Sequence, residues 1–195
     1  MANRPNPEVT STGPAHRIVV LTGFMGSGKT STGEALAKLL GWKFVDLDRE
    51  IEMQEGVAIR ELFAQKGEVG FRAMEHDALH HCLRSCERPT VIALGGGAIV
   101  QANNALLVRD SHALTVFLET PIEDMLQRCE VEDGANPENP RPLAADTESF
   151  RALYERRLPH YRAAQITVNT AGKSITEVAR EVADALGLKA VGSSS

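Results

Sequence analysis

Cysteine is scarce, net positive charge is absent, and no long apolar run interrupts the 195 residues. Each shortage closes off a class of protein. Three cysteines, Cys82, Cys86 and Cys129, cannot build a disulfide framework. With no Cys/His cluster around them they read as ordinary thiols of a reducing compartment. A net charge of -5, from 21 basic and 26 acidic residues, argues against a nucleic-acid or anionic-membrane surface and leaves room only for a local basic pocket. No stretch approaches the roughly 20 apolar residues of a membrane span. The opening MANRPNPEVTSTGPAHR has no apolar signal-peptide core. A cytoplasmic protein is expected, with neither membrane nor nucleic acid as partner. What is present, 43% hydrophobic against 24% charged residues, suits one globular domain with a sizeable core.

Five short apolar runs read as strands: RIVVLTG, KFVDLD, TVIALGGG, ALTVFLET and ITVNT. Helical stretches separate them. KTSTGEALAKLLG stops at Gly41, and REIEMQEG follows the second strand. AIRELFAQKGEVGFRAMEHDALHHCLRSC carries a glycine-marked break at Gly67 to Gly70. NNALLVRD is a short helix, and IEDMLQRCE is opened by Pro121. VEDGANPENPRPLA reads as a loop. TESFRALYERRLPHYRAA reads as helical up to Pro159, with Thr147 as candidate cap, and SITEVAREVADALG is the last helix. This alternation implies an α/β fold, three layers α/β/α around a five-stranded parallel sheet. The expected domain covers residues 17–188, between flexible tails at 1–16 and 189–195. Its helical insertion, about 49–88, suits a substrate lobe, and a mobile lid is placed at about 129–146.

GFMGSGKT fits G-x-x-x-x-G-K-[ST] through Gly23, Gly28, Lys29 and Thr30, between a strand and a helix, where the mechanism of that motif needs it. Backbone N–H groups over Gly26, Ser27, Gly28, Lys29, Thr30 and Ser31 are expected to wrap phosphate oxygens at the positive end of the helix. Lys29 neutralises phosphate charge, and the Thr30 hydroxyl is placed to hold Mg²⁺. ATP or GTP binding follows. GTPases, motor ATPases and small-molecule kinases all share such a loop, so the remaining residues must discriminate.

Asp46 and Asp48 close the second strand, and alternation sends both to one side, toward the crevice at the strand ends. One could hold Mg²⁺ through water and the other could accept a hydrogen bond from a substrate hydroxyl; a solvated loop with a helix cap is the alternative. Arg72 beside Phe71 and Met74 reads by default as a surface residue. Arg141 lies between two prolines in the loop, and Arg156 and Arg157 precede Pro159. Arginine grips carboxylate or phosphate bidentately, so an anionic small substrate is favoured. His16, His76, His80, His81, His112 and His160 read as solvent or core residues. VIALGGGAIV sets three glycines at a strand end, where a tight turn needs one. The extra two imply space reserved for a ligand, and Gly96→Ala is expected to weaken acceptor binding more than ATP binding.

In order, GFMGSGKTSTGEALA, FVDLD, IRELFAQKGEVGFRAME, VIALGGGAI, RPL and RRLPHY resemble the shikimate kinase family, over roughly Arg17 to Leu186. That resemblance implies a P-loop kinase fold of the nucleoside-monophosphate-kinase type, usually monomeric. It implies transfer of phosphate from ATP, with Mg²⁺, to the 3-hydroxyl of shikimate on the route to chorismate and the aromatic amino acids. By the same resemblance Thr30 ligates Mg²⁺ with Asp46 behind it, and Asp48 binds the ring hydroxyls as proposed base. Arg72 and Arg157 hold the carboxylate, and Gly95, Gly96 and Gly97 abut the ring. Arg141 is the lid arginine, Arg128 flanks adenine, and Lys173 and Ser174 lie near the adenine-side loop. The run CEVEDGANPENP is longer and more acidic than is usual for this lid, and RPLA stands where RPLL is usual. The alternatives are another small-molecule kinase, such as one for gluconate, and a catalytically silent nucleotide-binding module.

Overall fold

The computed structural model describes residues 18–86, 89–135 and 146–189. The five apolar runs form strands β1 (Ile18–Thr22), β2 (Lys43–Asp46), β3 (Thr90–Ala93), β4 (Leu114–Glu119) and β5 (Ile166–Asn169). They pair in the order β2-β3-β1-β4-β5, every pair parallel. A parallel strand buried on both faces reads as a continuous apolar run, and central β1, IVVLT, is buried throughout.

Side chains alternate between two cores. Val19 and Leu21 meet α1 (Lys29–Leu40) and α7 (Ile175–Ala185) through Leu36, Leu40, Val178 and Val182. Val20, Ile92 and Phe117 face the opposite core. That core is covered by α3 (Ile59–Arg84), α4 (Ala102–Asp110), α5 (Ile122–Ala135) and α6 (Thr147–Arg162). The expected α/β/α layering follows from this two-sided burial. Between β2 and β3 the chain forms α2 (Leu47–Glu55) and α3, the helical insertion. Gly67 kinks α3 at φ 67°, ψ 179°, a conformation essentially restricted to glycine.

Several boundaries move. Pro159 lies inside α6 rather than ending it. The ring costs one intrahelical bond, but the turn beyond it is held by Tyr161, which is fully buried. The cap of that helix is Asp146, whose carboxylate accepts from Glu148 N at 3.1 Å and Ser149 N at 3.2 Å, so Thr147 becomes the first helical residue instead. Helix α5 runs past Val131 to Ala135, shortening the loop expected there. Most of the lid, with Arg141, lies outside the described residues, as do the opening tail and nearly all of the closing one. Strands β2 and β3 stop at Asp46 and Ala93, short of Asp48 and the three glycines, which both strands were expected to carry. Among the described residues no helix is long and apolar enough to cross a membrane.

Candidate active site

At the carboxyl end of β1 the chain must turn sharply into α1. Gly26 and Gly28 do this in the left-handed region, at φ 73° and 85°, where a Cβ is strained. Gly28 is the N-cap of α1, so the first N–H groups of that helix open onto the cleft. Two cations rest on loop carbonyls: Lys29 Nζ donates to Phe24 O at 2.8 Å, and Arg128 Nη1, from α5, donates to Gly26 O at 3.1 Å. Both are poised beside the site a polyphosphate would take.

Beta strand β2 delivers Asp46 next to this loop. Its Oδ2 accepts from Thr30 Oγ1 at 2.6 Å, while its Oδ1 caps α2 by accepting from Asp48 N at 3.1 Å and Arg49 N at 3.3 Å. Asp46 is thus the helix cap of the alternative reading, while its other carboxylate oxygen meets Thr30 of the loop. Asp48 is not on the strand: it sits in the first turn of α2, so helix geometry rather than alternation turns it into the cleft. Burial pushes its carboxyl up to about 6, the nearby Asp46 adds to this, and Lys29 opposes it.

The other end of the cleft is built by α3, α6 and the glycine turn. Arg72 is only 16% exposed, so the surface reading of this residue fails. Its Nη1 donates to both oxygens of buried Glu75 at 2.9 Å, and Phe71 and Phe63 flank the guanidinium at 5.4 and 5.9 Å from their ring centroids. Burial pushes the Glu75 carboxyl up to about 6 although Arg72 pulls it down. Arg72 Nε is buried without a hydrogen-bond partner among the described residues, an orphan donor that a carboxylate would satisfy. From α6, Arg157 lies over the Phe24 ring at 5.8 Å and its Nη1 reaches Gly96 O at 3.4 Å.

None of Gly95, Gly96 and Gly97 has a positive φ; what they supply is space. A Cβ on Gly95 would stand 2.5 Å from Asp48 Oδ1, and one on Gly97 would stand 2.8 Å from Arg72 Cζ. On Gly96 it would only touch Met25 N at 3.4 Å. The room is thus occupied by the Asp48 and Arg72 side chains, and Gly96, where a substitution was expected to weaken acceptor binding, has the most space of the three.

One cleft of about 1250 Å³ gathers Gly26 to Ser31, Asp46, Asp48, Arg72, Gly95 to Gly97, Arg128, Arg157 and Ser174. Every site residue expected from the sequence is there except Arg141, which lies outside the described residues. Ser174 also makes a capping box with Glu177 at the start of α7, and Lys173 Nζ donates to Asn169 O at 2.8 Å. Sequence reading missed Glu75 and Tyr161. Glu75 follows Arg72 by three residues, the helical spacing of an ion pair, and that signal was present. The cleft can bind a nucleotide at one end, an anion between two arginines at the other, and a hydroxyl at a carboxylate in between.

A family model described as shikimate kinase matches residues 25–187. A shikimate kinase of Moorella thermoacetica is 40% identical over 170 residues, 86% of this chain and 93% of that one. The solved shikimate kinase of Acinetobacter baumannii in complex with shikimate superposes with TM-score 0.79 at 34% identity, covering 89% of this chain and 94% of that one. A gluconokinase of Sinorhizobium meliloti, at 20% identity and TM-score 0.53, shares the fold alone.

Proposed function

The chain belongs to the shikimate kinase family, and from that premise we propose that it phosphorylates the 3-hydroxyl of shikimate with ATP, releasing shikimate 3-phosphate and ADP. The observation that carries the acceptor end is the meeting of Arg72, Arg157 and Asp48 in the cleft that holds the phosphate loop. Two guanidinium groups suit the carboxylate of shikimate and would fix its ring. Asp48 accepts the hydrogen bond of the 3-hydroxyl and takes its proton as the new bond forms. In a loose phosphoryl-transfer transition state, alignment contributes more than base strength.

Thr30 and Asp46 offer oxygen donors, the type a hard cation prefers, and we assign them to Mg²⁺, directly and through water respectively. When bound, Mg²⁺ offsets charge on the phosphate oxygens. Lys29 and the N–H groups from Gly26 to Ser31 bind the phosphates, Arg128 flanks adenine, and Ser174 lies on the adenine side. Arg141 is proposed as the lid cation on the transferring group. A monomer acting in the cytoplasm, without nucleic acid or membrane, completes the proposal. Phosphorus NMR of a reaction containing the chain, MgATP and shikimate tests it. A new phosphomonoester signal that grows with ADP is expected; ATP left intact, or cleaved only to inorganic phosphate, overturns it.

A further inference from the structure

The glycine turn is gripped from beneath by a residue that has no part in the scheme above. Tyr161 is one helical turn after Arg157 on α6, so both project from one face. Its ring is fully buried, stacked on Phe117 with centroids 5.5 Å apart at 23°, and edge-on to Phe24 at 6.5 Å. Held by these two rings, its hydroxyl donates to Gly96 O at 2.5 Å. Arg157 Nη1 approaches the same oxygen at 3.4 Å. Burial pushes the phenol up to about 12, so it remains a donor at every pH at which a kinase would be assayed.

The grip has a consequence on the far side of the peptide. No peptide bond here is cis, and in a planar trans peptide C=O and N–H point in opposite directions. With Gly96 O directed at α6, Gly97 N–H is turned away from it. Gly97 also borders the Arg72 guanidinium, which a Cβ at that position would strike. One hydroxyl therefore sets the Gly96–Gly97 peptide plane between the two arginines of the acceptor end.

We propose that Tyr161 is a positioning residue for the acceptor carboxylate, acting through Gly96 O to align Arg157 and the Gly97 N–H. This rests on the assignment of shikimate as acceptor. It differs from a general structural role because it predicts an effect on one substrate and on one group of that substrate.

The test is Tyr161→Phe, which keeps the ring and removes the donor. Initial rates are measured with shikimate and ATP varied separately, together with rates on an analogue whose carboxylate is reduced to hydroxymethyl. The variant should raise the shikimate KM about tenfold, about 1.4 kcal/mol of lost acceptor binding, with the ATP KM within twofold of wild type. Turnover of the analogue should be nearly equal in the two proteins, since it has no carboxylate for the turn to align. Equal rises in both KM values, or an unchanged shikimate KM, overturn the role of Tyr161. No shikimate turnover by the wild-type chain overturns the functional assignment itself. Should Tyr161→Phe fail to fold, Phe117→Leu releases the same ring from its stacking partner. It is expected to raise the shikimate KM severalfold with the ATP KM unmoved, and any other pattern contradicts the proposal.

Discussion

At the scale of single residues, Asp48 is the proposed partner of the 3-hydroxyl, and burial decides how it titrates. Its carboxyl, pushed up to about 6, must be ionised to accept the 3-hydroxyl, so kcat/KM for shikimate should fall as pH drops through about 6 rather than about 4. Burial likewise pushes the Glu75 carboxyl, which accepts from Arg72, up to about 6. A pH–rate profile from 5 to 8.5 checks this; a rate that stays flat down to pH 5 contradicts it. The stability sign is opposite to that of a salt-bridged aspartate. A carboxyl whose pKa is raised by folding favours the folded state fully below its unfolded pKa of about 3.9, and that contribution is lost as pH rises through about 6. Asp48→Asn should therefore abolish most turnover, by about 10²-fold or more, yet raise stability at pH 8 by ~1–2 kcal/mol, and by less at pH 4. Thermal melts at the two pH values, beside rates, decide it. Among the glycines, Gly95→Ala and Gly97→Ala should each damage shikimate use more than Gly96→Ala, because their Cβ atoms would strike Asp48 and Arg72. Shikimate KM values of the three variants rank them.

Elements place these residues, and here the sequence was legible unevenly. The phosphate loop could be read completely, because its glycines and Lys29 lie between an apolar strand and a helix whose local physics is unambiguous. The strand count could be read for a similar reason: a buried parallel strand is a continuous apolar run. Asp48 was found through faulty geometry, since β2 ends two residues earlier and the cap formed by Asp46 starts a helix there. Tyr161 was lost through the proline rule. Ending α6 at Pro159 hides the relation of Tyr161 to Arg157, and only tertiary burial of the last turn overrides the proline. Glu75 was hidden because a helical Glu is normally solvated; its burial depends on Arg72, whose own burial no local pattern announces. The kink at Gly67 precedes Arg72 on α3. Gly67→Ala should lower stability by about 1–3 kcal/mol, the cost of a strained backbone conformation. It should also raise the shikimate KM more than the ATP KM, because Arg72 follows on the same helix. Melts and separate KM values check both; equal KM effects contradict the link.

The whole molecule joins two half-sites at one end of the sheet. The phosphate loop leaves β1, the central strand, and the residues proposed to hold the acceptor come from the insertion after β2, the turn after β3, and α6. Parallel strands bring all of these to their carboxyl ends, where an open α/β sheet forms its crevice. The phosphate loop and the proposed acceptor end also share Phe24, whose carbonyl receives Lys29 and whose ring lies under Arg157. A nucleotide loop of this kind serves many acceptors, and gluconate also carries a carboxylate that two arginines could hold. The choice of acceptor is therefore the central claim. The most direct measurement is ADP release by the wild-type chain with MgATP and either shikimate or gluconate, in parallel at equal concentration. Shikimate-dependent release at least about 10²-fold above gluconate is the predicted result, a margin well inside the roughly 10⁴-fold that a site built to hydrogen-bond its substrate achieves. Release with gluconate and none with shikimate would contradict the account.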